Sequence, residues 1–283
     1  MLTELCPANP SVRAYVRALS ADIASHGVRS IVAESLHYHP LEHGFHHERY
    51  FMTLGPRTRF LLGLCFCEHC LAEARADGVD AEDVRRYARE EIQRVFDGSE
   101  DAADGAMARE DVAALAGGEL GGYLAMRERV VATLAAGAAE EAAGEGSRFS
   151  FLDASGAVKG YSTGTPEGGP APEIAWQLGV DLAAIGAATG LEAIAYAADP
   201  NRVALDLAAY RELVPGEGSL AAAVRPMLPD CASAENLAAK LRVARESGAE
   251  RVDFYHYGLA PLTALDRIRG ALELDARGGS SEP

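Results

Sequence analysis

The second half of this chain repeats one unit, a short apolar run followed by a helical pattern, and that rhythm restricts the fold more than any other feature. Runs at 149–153, 191–196, 220–225 and 251–256 alternate with helical stretches near 173–188, 202–213, 234–247 and 261–272. Strands joined through helices lie parallel in a sheet covered on both faces, and the first three runs are largely apolar as such strands require. A dinucleotide-binding sheet would carry G-x-G-x-x-G between a strand and a helix. Gly117-Gly118, Gly121-Gly122 and Gly168-Gly169 do not spell it. Polar and aromatic residues gather instead at the ends of the runs, at Glu34, Asp153, Tyr196, Asp199, Arg225, His256 and Tyr257. That is the placement expected of a (β/α) barrel, whose site is assembled from strand ends at one face.

The first half is less regular. Asn9-Pro10 can cap and open a helix with Val12, Tyr15, Val16, Leu19 and Ile23 at helical spacing, closed by Gly27. A strand is expected over 30–34 and a second short one over 61–65, with a helix over 82–96 presenting Val84, Tyr87, Ala88, Ile92 and Val95 inward. An acidic stretch at 97–119 precedes a long Ala-rich helix near 123–143. With 48% hydrophobic residues the chain can fill a sizeable core. Its 42 acidic against 26 basic residues, net -16, oppose nucleic acid and anionic membranes as partners. No basic-then-apolar leader opens the sequence and no run of membrane-spanning length follows, so a soluble, cytoplasmic protein is expected.

Three of the 5 cysteines crowd into Cys65-Phe66-Cys67-Glu68-His69-Cys70. A secreted disulfide framework would spread them; this spacing lets thiolates converge on one Zn²⁺ through a tight turn. Cys6, Cys231, His69 or a loop histidine could supply the fourth ligand. The competing readings are buried thiols acting as small hydrophobes and a redox dithiol at Cys67 and Cys70.

Six of the 8 histidines fall between His37 and His69, most of them in a stretch, 35–60, that is long for a connection. With Tyr38, Phe45, Tyr50 and Phe51 they suit stacking and hydrogen bonding to a polar ligand of sugar type. A histidine metal site and a plain solvated loop are the alternatives. Glu34 ends an apolar run and is expected at a barrel rim, partly desolvated, with a raised pKa suited to proton donation. Its bland role would be a cap or an ion pair to Arg49 or Arg59. Glycoside hydrolysis needs a second carboxylate, for which Asp153, Asp199, Asp230 and Asp253 are candidates.

The run Leu5-Cys6-Pro7-Ala8-Asn9-Pro10-Ser11-Val12-Arg13, the strand ending in Glu34, and Cys65-Phe66-Cys67-Glu68-His69-Cys70 resemble the catalytic barrel of family 42 glycoside hydrolases, the zinc-containing β-galactosidases. The resemblance implies an α/β fold of (β/α)8 TIM-barrel type that is incomplete, with strands four to eight present and one to three expected upstream of Met1. It implies one barrel domain over 1–275 with a zinc-binding and Ala-rich helical excursion at 61–147, and a disordered tail at 276–283. It further implies a structural zinc on Cys6, Cys65, Cys67 and Cys70, and Glu34 as general acid; Asp153, which ends the apolar run 149–152, is taken from the residues themselves as the second catalytic carboxylate. Substrate contacts would come from His37, His39, His46, His47, Glu48, Tyr196, Arg225 and His256. The expected partner is a small saccharide or glycoside, with self-association through open sheet edges. Two departures stand out: Ala33 precedes Glu34 where the family carries Asn, and 220–227 holds no Glu where the family carries its nucleophile. Hydrolysis and saccharide binding without turnover both follow from that.

Overall fold

The computed structural model describes residues 5–41, 54–99, 107–160, 164–166, 168–214, 216 and 218–278, which form two compact units. One is helical and comprises 1–31, 35–147 and 175–181; the other carries the sheet and comprises 32–34, 148–174 and 182–283.

The helical unit is built around one long helix. Helix α1 (Pro10–Ser25) starts as its sequence dictates, the Asn9 side chain accepting from the Ser11 N–H at 2.9 Å and Pro10 occupying the first turn. Its packing face differs from the expected stripe. Ser20 and Ala24 are buried, whereas Tyr15 and Leu19 are exposed. After strand β1 (Ser30–Ala33) come α2 (Pro56–Leu62), α3 (Glu68–Ala76), α4 (Ala81–Phe96), α5 (Arg109–Ala113) and α6 (Glu119–Gly144). Residues 61–65 are therefore not a strand. Pro56 opens a helix that Gly63 terminates, and the short apolar run is its buried side, Phe60 meeting Trp176 edge-on at 5.2 Å. Five apolar residues cannot by themselves distinguish the two periodicities.

Small residues on α6 let its neighbours approach. A Cβ added at Gly122 would fall 2.7 Å from Val79. From α1, Arg13 donates to the Val130 carbonyl at 2.9 Å and Arg17 pairs with Glu141. The single helix expected over 173–188 is interrupted. A 3-10 segment, Ala171–Leu178, ends at Gly179, whose φ of +69° leaves the helical region and whose missing Cβ makes room for the Tyr38 ring.

The sheet unit holds the βα rhythm. Strands β2 (Arg148–Asp153), β3 (Gly190–Ile194), β4 (Leu220–Val224) and β5 (Arg251–Phe254) pair in parallel, and with β1 make a five-stranded curled half-barrel sheet in sequential order. Their crossovers are α7 (Ser155–Gly160) and α8 (Leu182–Ala188), then α9 (Pro200–Leu213) and α10 (Ala234–Glu246), and α11 (Leu262–Gly278) follows β5. The register Leu152↔Glu192, Glu192↔Ala221 and Ala221↔Arg251 assigns one face of the sheet to Leu152, Glu192, Ile194, Ala221, Ala223, Arg251 and Asp253. The other face carries Phe151, Leu191, Ala193 and Ala222, with Leu191 against Gly186 of α8. Helix α11 runs past residue 275, so the tail boundary expected there lies inside it. No helix among the described residues is long and apolar enough to cross a membrane.

Candidate metal centre and strand-end residues

Cys6 sits in the turn before α1, where its carbonyl accepts from the Asn9 N–H at 3.0 Å. Cys65 and Cys67 lie in the extended link between α2 and α3, Cys67 as the N-cap of α3 and Cys70 in its first turn. Local geometry brings three sulfurs together and tertiary packing brings the fourth. Cys6 Sγ is 3.4 Å from Cys70 Sγ, 3.5 Å from Cys67 Sγ and 3.9 Å from Cys65 Sγ. All four sulfurs lie within 4.8 Å of one another. Tetrahedral coordination with Zn–S of about 2.3 Å separates sulfurs by roughly 3.8 Å, so these residues fit one ion with little rearrangement. His69 is outside the group and lies 3.8 Å from Glu68, while Cys231 bonds to the Ser233 carbonyl at 3.3 Å.

The thiols hold protons jointly. Hydrogen bonds from Cys6 and Cys70 drive the Cys65 thiol down. The bond to Cys65 drives Cys6 up, and the bond to Cys6 drives Cys70 up. Backbone N–H groups of Ala8 and Cys67 bond to Cys6 and Cys65 and favour their thiolates. Four thiols this close cannot all ionise without a cation, which is the condition a metal supplies.

Around the sulfurs, the Tyr38 hydroxyl lies 3.6 Å from Cys70 Sγ and the Tyr123 hydroxyl donates to the Cys65 carbonyl. Tyr123 also stacks on Phe66 at 5.2 Å. Sequence reasoning missed Tyr123 and Arg127. The signal was present: on α6 they fall on the stripe Leu120, Leu124, Val131 and Leu134, all buried, where a polar residue needs a partner.

At the strand ends the expected residues separate. Glu34 follows β1 and is exposed, not desolvated, because β1 is an edge strand. Asp153, at the end of β2, is fully buried, accepting from the Tyr210 hydroxyl and from Ser155 Oγ at 3.0 Å. Burial pushes its carboxyl up, against the pull of those donors. Tyr196 lies under the Arg225 guanidinium at 4.7 Å and is 5.9 Å from Tyr255, which meets His256 edge-on. Arg225 pairs with the buried Asp230 through both oxygens. In the helical unit His37 is buried, its Nδ1 3.1 Å from the Tyr38 carbonyl, with His39 at 5.5 Å ring to ring. His46, His47 and Glu48 lie outside the described residues.

A further ionic group was not expected. Arg251 bridges Glu192 at 2.6 Å and Asp253 at 2.7 Å on one face of the sheet. Burial, and then the Asp253 carboxylate, push Glu192 up to about 7. No protein-family model, curated protein or solved structure matches the chain.

Proposed function

We propose that the chain is a glycosidase-like partial barrel that holds one structural zinc ion on Cys6, Cys65, Cys67 and Cys70 and takes a small saccharide or glycoside at its strand ends. The observation that carries the metal reading is the meeting of four sulfurs within 4.8 Å from two separate segments. A complete set of four thiolates leaves no open position for substrate, so the ion's role is structural rather than catalytic. When bound it supplies the positive charge that lets all four cysteines ionise and ties the turn before α1 to the start of α3.

The saccharide reading is supported by Tyr196, Tyr255 and His256 beside Arg225 at the ends of β3, β4 and β5. Such a group offers flat apolar surface to sugar C–H faces and charged donors to hydroxyls. For hydrolysis Glu34 is the proton donor, and the second carboxylate is constrained. Asp153 is engaged by Tyr210 and Ser155, Asp199 caps α9, and Asp230 holds Arg225. Asp253 keeps 40% of its side chain exposed but is itself paired with Arg251 at 2.7 Å, so each of the four carboxylates already has a partner. Binding without turnover is the second reading, favoured by the enclosure of Asp153.

Elemental analysis of protein purified without added metal, read for zinc and iron together, is expected to return close to one zinc per chain. Metal-free, fully folded protein overturns the reading. In an aryl glycoside panel, Glu34→Gln is expected to lower any activity about 10²–10⁴-fold. Unchanged turnover removes Glu34 from the acid role. Saccharide binding that Tyr196→Ala weakens, with no turnover in the wild type, decides for the second reading.

A further inference from the structure

Arg127 is 1% exposed in the middle of α6, among Leu124, Val130, Val131 and Leu134. One of its N–H groups donates to the Gln177 carbonyl at 3.2 Å; its Nε and Nη1 have no hydrogen-bond partner. The guanidinium lies over the Tyr38 ring at 4.6 Å and near Phe60 at 5.9 Å. Among the described residues no carboxylate pairs with it. A buried cation with two idle donors and only ring faces for electrostatic company is expensive to maintain.

The cysteine centre is linked to its surroundings through two tyrosines. The Tyr38 ring beneath the guanidinium carries the hydroxyl that reaches Cys70, and Tyr123, one helical turn earlier on α6, reaches Cys65. Burial disfavours the charged Arg127 guanidinium and pushes both phenols up, so the two tyrosines are neutral links to the sulfurs rather than counter-charges. A divalent ion on four thiolates leaves the centre with a net charge of about −2, in a region where water does not screen it.

We infer that Arg127 is the built-in counter-charge of the metal-loaded cysteine centre, placed by α6 to offset the excess negative charge of the tetrathiolate. The inference rests on the zinc reading above. It explains a cation on the buried, largely apolar stripe of α6, and it makes the two partners interdependent: the loaded centre balances Arg127, and Arg127 favours the loaded centre.

The test uses the full chain, zinc-loaded and zinc-stripped, with Arg127→Met, which keeps bulk without charge, and Arg127→Lys, which keeps charge. Zinc affinity is read by competition with a chromophoric chelator and thermal stability by circular dichroism. Arg127→Met is expected to weaken zinc about 10–100-fold, as loss of an outer-shell partner does, and to narrow the Tm gap between loaded and stripped protein. Arg127→Lys is expected to stay close to the wild type in both. Folded Arg127→Met with zinc affinity within twofold of the wild type overturns the inference and leaves the zinc reading standing. A wild type that binds no zinc overturns both. If Arg127→Met does not fold, Arg127→Gln replaces it, and equal losses in Gln and Lys variants overturn the counter-charge role, since only one of them keeps the charge.

Discussion

Glu192 in the sheet unit and Arg127 in the helical unit are both enclosed, yet their charges are met differently. Glu192, its side chain 3% exposed, has Arg251 at 2.6 Å, and Arg251 in turn holds Asp253. Arg127 has a carbonyl and two rings. The sheet unit therefore balances its interior charge with its own side chains, as it also does where Tyr210 and Ser155 enclose Asp153. The helical unit offers Arg127 no such side-chain partner among the described residues. On the zinc reading proposed above, a unit with many Ala and Gly packing positions and a cysteine cluster gains cohesion from a cross-link, while parallel strands with paired interior charges do without one.

The strongest way to break this contrast is to remove the metal. Chelation, or Cys70→Ser, is expected to accelerate amide exchange in α3 and α6 by about a thousandfold or more while β2–β4 keep their protection. Equal loss in both units would abolish the distinction. Next in size, Asp153→Ala is expected to cost about 3 kcal/mol in urea unfolding because the Tyr210 hydroxyl is left buried without an acceptor. Asp153→Asn, which keeps one, is expected to cost about 1 kcal/mol or less. Similar costs for the two would mean that the Tyr210 bond contributes little.

The Glu192 group sharpens the comparison through pH. Its folded pKa, about 7, lies above the ordinary 4.5, so the folded chain retains a proton between those values that the unfolded chain releases. Its contribution is full below pH 4.5 and is lost as pH rises toward 7, on the order of 2–3 kcal/mol. Glu192→Gln is expected to flatten that slope. Parallel wild-type and variant stability curves over pH 4.5–7.5 would refute it. Smallest, Asn9→Ala removes the cap of α1 and is expected to lower the stability of zinc-loaded protein by about 1 kcal/mol, measured as a urea midpoint shift. A much larger effect would mean that the cap also positions Cys6.

The strands of the second half were legible from the repeated alternation of strand and helix patterns, and 149–153, 191–196, 220–225 and 251–256 differ from the observed strands only at their ends. Helix α1 was legible from its Asn9-Pro10 cap and α4 from the spacing of its apolar residues, and the stretches expected for α6, α9 and α10 match in extent. The helix at Pro56–Leu62 was not, being too short for its period to show. Nor was the break at Gly179, which answers to the approach of Tyr38 from a distant segment.

The same division runs through the site. The C-x-C-x-x-C spacing alone determined that three thiols would converge, and the βα rhythm alone determined a parallel sheet, because both depend on contacts within a few residues or on a repeated local pattern. Tertiary structure decided the rest. It brought Cys6 to the other three cysteines, enclosed Asp153 while leaving Glu34 exposed, and buried Arg127 with no carboxylate partner among the described residues. Each of these is a matter of which charges and sulfurs meet across long stretches of chain, and spacing in sequence carries no information about that.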